Sequence, residues 1–315
     1  MIRAAIRIAA ILLAFSVNDF QRVEAAPRPA PAYAIRETLQ QPESKLDYLQ
    51  ATIAFEKLID SANDATITEA MVARLVDAAR QMAGPNPTDT YKLAAIRKAI
   101  YDSGPWNYNR AFSYDLADPF GQKLGNRQLS TYIRTRKGNC VSMPTLFLIV
   151  ADRMGLNVQL ATAPLHMFVR YTDKAGAVSN LEATSGGHAA RDAWYREKMP
   201  MTDRAIESGA YMRTLTKRET VAELATTVMD ALIDQSRFQE AVDVADAILA
   251  VNPRESYVMA KKGTALAGMM QAEFVDKYPN PQLIPPNLRL RYRQLAEMNE
   301  AAFKAAEALG WEPTT

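Results

Sequence analysis

Cys140 is the only cysteine in 315 residues. A thiol without a partner in its own chain is either a small buried residue or a nucleophile. It sits in Arg136-Lys137-Gly138-Asn139-Cys140, just before an apolar run from Val141 to Met154 that has helical spacing and stops at Gly155. Proline is comfortable only in the first turn of a helix, so Pro144 puts the regular start near Ser142 and Cys140 on the turn before it. Free N–H groups and the positive end of the dipole at a helix start favour a thiolate and can hold an oxyanion, with Arg136 and Lys137 adding positive field. Downstream, His166 is one of two histidines, and Glu182 follows on the next apolar segment. Cysteine, histidine and carboxylate are the nucleophile, base and orienter of a cysteine triad. Asn180, two residues before Glu182 and so on the same strand face, is the alternative orienter.

Three strands must position these groups: residues 157–163, ended by Pro164, then 165–171, a turn at 173–176, and 177–183. If the last two strands pair directly with residue numbers summing to 348, His166 faces Glu182 and Phe168 faces Asn180. The connecting loop then has odd length, as in Thr172 to Gly176. A one-residue slip would turn Glu182 to the other face. A zinc set of Cys140, His166, Glu182 and His188 lacks the paired close spacings of metal ligands. His188, after Ser185-Gly186-Gly187, reads as a loop residue at the rim. No metal and no organic cofactor is implied. Trp106, Tyr108 and Tyr114 read as packing residues or as walls of a groove.

Arg136-Lys-Gly-Asn-Cys140, the helix ending Ala151-Asp-Arg-Met-Gly-Leu156, Pro164-Leu-His166 and Asn180-Leu-Glu-Ala-Thr184 together resemble the bacterial transglutaminase-like core. Residues 126–136 match the lead-in helix of its short subfamily, which carries C-terminal tetratricopeptide repeats. The resemblance covers roughly Tyr101 to Gly187. It implies a papain-like α+β fold with Cys140 as nucleophile, His166 as base and Glu182 in the third position, where the wider pattern has Asp. Many members of that subfamily lack the cysteine, so a complete Cys, His and acid set is the specific point in favour of an enzyme.

Before the core, residues 45–62, 66–83 and 88–102 have helical periodicity, with Gly84-Pro-Asn-Pro87 between the last two. Pro27 to Pro42 is rich in Pro and Ala and reads as a loose linker. After about Thr216, Phe238 to Pro253 follows the second helix of a tetratricopeptide repeat, and Ala301, Ala305, Ala308 and Pro313 repeat the offsets of Ala241, Ala245, Ile248 and Pro253. Too few repeats for an independent solenoid, they are expected to pack on the core, as a support or a peptide-binding surface. Met1 to Ala25, with Arg3 and Arg7 before Ile8 to Val17 and Ala25 at a cut site, reads as a secretory signal.

The expected organisation is therefore signal peptide 1–25, linker 26–44, transglutaminase-like domain 45–215 and tetratricopeptide-like all-α domain 216–315. A net charge of +2 without a basic stripe excludes nucleic-acid binding. The expected protein is periplasmic or secreted, without a stable membrane span after cleavage, and performs thiol acyl chemistry on a peptide or protein amide. The rival is an inactive scaffold that binds a protein partner through its helical repeats.

Overall fold

The computed structural model describes residues 30–119 and 121–313, so the signal-peptide reading lies outside the described residues. α1 (Pro31–Gln40), α2 (Tyr48–Ile59), α3 (Ala65–Ala83) and α4 (Asp89–Tyr101) come first. The expected linker is thus largely a helix. Pro31 occupies its first turn, where a missing N–H costs nothing, and Ala32, Ile35 and Leu39 form its buried stripe. The later starts are capped by side chains, Asp47 for α2, Asp64 for α3 and Thr88 for α4.

A short strand β1 (Ser113–Tyr114), α5 (Leu129–Thr135) and β2 (Lys137–Gly138) lead to α6 (Ser142–Arg153), which starts where Pro144 requires. No side chain of its own caps α5; the buried Glu56 of α2 accepts from Leu129 N and Ser130 N instead. Every residue of α6 from Ser142 to Ala151 is buried, as in a helix surrounded by protein. α2 to α5 pack against one side of it and the sheet against the other.

That sheet has four antiparallel strands in the order β3 (Val158–Ala163), β4 (His166–Thr172), β5 (Val178–Glu182) and β6 (His188–Ala190). β6 stands where a loop was expected. The β4–β5 register differs from expectation by two: Arg170, not Phe168, faces Asn180. Because the error is even, His166 and Glu182 keep a common face. The loop between Thr172 and Val178 has odd length, one residue later than expected.

α7 (Asp192–Lys198) and α8 (Asp203–Glu207) follow, then a segment whose Met212 N and Leu215 N bond to Thr162 O and Leu160 O, covering the outer edge of β3. α9 (Lys217–Leu224), α10 (Thr226–Asp234), α11 (Phe238–Leu249), α12 (Ser256–Met270) and α13 (Arg289–Ala308) complete the chain, with α12 prolonged by a π-helical turn, Gln271–Val275. α10 to α13 pack successively, while α1 docks on α11 and α2 on α10. One hydrophobic core runs from Ala32 to Ala302, so the packing crosses the boundary expected at residue 216. Ala241, Ala245 and Ile248 are buried in α11 as expected. Ala301 and Ala305 are exposed, and the buried small residues of α13 are Ala302 and Ala306. The face of α13 is set by Phe303, whose ring occupies the space a Cβ on Gly263 of α12 would need.

Candidate active site

Cys140 lies on the turn between β2 and α6 and is 5% exposed. Its thiol donates to the carbonyl of Leu165 at 3.4 Å. That carbonyl belongs to the two-residue turn joining β3 to β4, where Leu165 holds φ at 54°, a conformation costly for a residue with a Cβ. The turn delivers His166, the first residue of β4, to the same place. His166 Nε2 meets Glu182 Oε2 at 2.8 Å, and the imidazole lines the same cavity as Cys140, which raises its proton affinity. Continuing the observed register puts Glu182 level with Phe168, two residues from His166. A diagonal reach of this kind suits a carboxylate with one methylene more than Asp.

Glu182 is 2% exposed and accepts three further bonds: from Thr184 N at 2.9 Å, Thr184 Oγ1 at 2.6 Å and Tyr195 Oη at 3.0 Å. Burial alone would raise its affinity for a proton, but the bonds from His166 and Thr184 outweigh it and hold the carboxyl below its ordinary range. Burial likewise works against a charged His166, yet Cys140 and Glu182 overcome it and raise the imidazole to about 9. The result is a histidine that keeps its proton beside a buried carboxylate.

Several expectations need correction. Asn180 does not orient the imidazole: its Oδ1 accepts from Arg170 Nε at 2.9 Å, and its Nδ2 donates to Asp192 and to Ala190 O. Arg136 and Lys137 do not face the thiol. Arg136 stacks on Phe112 at 4.3 Å, and Lys137 donates to Ser113 Oγ. The arginine that lines the same cavity as Cys140 is Arg127. The helix-start amides are not free either, because Asn139 Oδ1 accepts from Val141 N and Ser142 N. His188 is an exposed residue beside Arg97, on β6 directly across from Glu182 on β5. Tyr114 is the one aromatic of the expected three whose hydroxyl senses Cys140 and Glu182.

The thiol and imidazole open into a cavity of about 450 Å³. Gln122, Thr162 and Met167 line it from the core, and Glu223, Asp230, Glu255 and Tyr257 line it from the C-terminal helices. Sequence reasoning missed that second wall and missed Tyr195. Thr184 lay within the quoted Asn180 to Thr184 motif, but nothing in spacing marked Tyr195 or the acids.

The sequence pattern of the transglutaminase-like superfamily matches residues 67–224, half of the chain, from α3 to the end of α9. The chain belongs to the transglutaminase-like superfamily. Cys140, His166 and Glu182 all fall inside the matched segment, which gives a family context to their convergence. Two bacterial relatives are more distant. UPF0162 protein BU173 of Buchnera aphidicola subsp. Acyrthosiphon pisum (strain APS) is 21% identical over 233 residues, 71% of this chain and 81% of that protein. The UPF0162 protein of Buchnera aphidicola subsp. Schizaphis graminum (strain Sg) is 20% identical over 233 residues, 72% of this chain and 81% of its own length. No solved structure matches significantly.

Proposed function

We propose that the protein is a cysteine-dependent amide hydrolase or acyltransferase acting on a peptide or protein. The observation that carries this reading is the 2.8 Å contact between His166 Nε2 and Glu182 Oε2. It commits Nε2 to the carboxylate and leaves Nδ1 for the thiol, the division of labour a triad needs. In the first step Cys140 Sγ, as a thiolate whose proton His166 already holds, attacks the carbonyl carbon. The C–N bond breaks, His166 returns the proton to the departing amine, and a thioester remains. Water or a second amine then attacks the thioester, its proton passing through His166 to the sulfur, and the acid or new amide leaves with the thiol restored. The Cys140 N–H and the Gln122 carboxamide would hold the carbonyl oxygen as it gains charge.

The C-terminal helices serve in this reading as a tetratricopeptide-like support that also walls the cleft, supported by the buried Ala241, Ala245 and Ile248 of α11. The signal-like pattern of Met1 to Ala25 supports export, with the reaction in the periplasm or outside the cell. Among the described residues no helix is long and apolar enough to cross a membrane. The test is labelling with a peptide carrying a thiol-reactive group in place of its scissile amide, near pH 7. Native protein should react at Cys140, and His166→Ala should slow it by about 100-fold or more. A thiol that reacts only in denaturant would mean a structural cysteine and an inactive scaffold.

A further inference from the structure

Glu223, in the last turn of α9, and Glu255, at the N-terminus of α12, present their carboxyls to the same cavity as Cys140 and His166. They are 5% and 1% exposed, and the two carboxyls lie within hydrogen-bonding reach of each other. Glu223 Oε2 has no hydrogen-bond partner among the described residues. The cations nearby are already engaged. Arg127 is bound to Asp230 at 2.5 Å and to Gly121 O, Lys261 approaches the same Asp230, and Arg213 is held by Glu219 through both of its terminal nitrogens. A buried carboxyl oxygen without a donor is expensive to keep. Glu223 itself lines the cavity of about 450 Å³, which is large enough for a substrate side chain.

We infer that Glu223 and Glu255 form a subsite for a primary ammonium group, carried by the lysine-like side chain of the peptide whose carbonyl Cys140 attacks. The inference rests on the proposed thiol chemistry and adds the substrate class. An ammonium donates three N–H bonds, enough to reach both carboxyls and the orphaned oxygen. Burial raises the proton affinity of both acids, and the neighbouring Glu255 raises that of Glu223 further, so the empty pair holds a proton between them. The incoming cation takes the place of that proton. An anionic group gains nothing here, since Arg127 is spent on Asp230. Glu255 lies beyond residues 67–224, so the subsite combines the superfamily segment with the helices after it.

The test compares peptide electrophiles that differ only in lysine against norleucine near the reactive group, scored by the rate of Cys140 modification. A lysine preference of about tenfold is expected. It should fall toward one in Glu223→Gln and, separately, in Glu255→Gln, with melting temperature recorded for each. Pentylamine tests the other source of the same chemistry. If lysine gives no advantage but pentylamine protects Cys140 in the native protein and not in Glu223→Gln, the site serves a separate amine. Failure of every electrophile to modify Cys140 overturns the thiol reading. Modification without either response, or a preference that survives both substitutions, overturns the subsite alone.

Discussion

Glu182→Gln keeps the size of the side chain and removes the charge on which His166 depends. The carboxylate takes four donors, and one of them, His166 Nε2 at 2.8 Å, also carries its counter-charge. His166 stands at about 9 against an ordinary 6.5. At about 1.4 kcal/mol for each unit of pH, the difference of about 2.5 corresponds to about 3.5 kcal/mol of folding stability. The sign follows from the raised value. Below pH 6.5 the imidazole is protonated in both folded and unfolded chains, and the full contribution is present. Between 6.5 and about 9 the unfolded chain loses the proton first and the contribution fades. Glu182 is depressed, so its share is present above its ordinary 4.5 and is lost as the pH falls through its folded value. Cys140 shares in raising His166, so Glu182→Gln should cost about 2 kcal/mol near pH 6 and less above pH 9. The assay is urea unfolding across this range, paired with an NMR titration of the two histidines, assigned by substituting His188. The His166 midpoint should lie near 9 and fall in the variant. A midpoint that Glu182→Gln leaves in place, or a stability loss that does not vary with pH, would refute the reasoning.

Ala241 is fully buried in α11, so Ala241→Leu should cost about 1–3 kcal/mol by overpacking, whereas Ala301→Leu on the exposed face of α13 should stay within about 0.5 kcal/mol, as read by urea unfolding. Gly187 holds φ at +70°, and a Cβ there would meet the Phe147 ring at 2.4 Å. Gly187→Ala should thus lower the melting temperature and, by shifting the turn after Glu182, slow labelling of Cys140 more than Ala241→Leu does.

The parts of this fold legible in the sequence are those written locally. Pro144 fixed the start of α6, Thr88 the start of α4, and Pro164 the turn that brings His166 to Cys140. The face shared by His166 and Glu182 followed from strand alternation, although the register differed by two. Composition misled at Pro27 to Pro42, where prolines suggested disorder while the spacing of Ala32, Ile35 and Leu39 is that of a helix face. The α13 alanines were misplaced by one residue because a repeat offset does not encode which face meets Phe303 and Gly263. The hydroxyl of Tyr195, the presence of Arg127 rather than Arg136 in the cavity wall, and the meeting of Glu223 with Glu255 arise from contacts between distant segments. No local pattern announces them.

The central claim is that Cys140 forms a thioester with help from His166. Mixing the native protein with an activated acetyl ester and following intact mass tests it most directly. The account predicts a rapid acetyl adduct mapped to Cys140, discharged by hydroxylamine, absent in Cys140→Ala and formed far more slowly in His166→Ala. A native protein that stays unacylated, while its denatured thiol reacts freely, would contradict it.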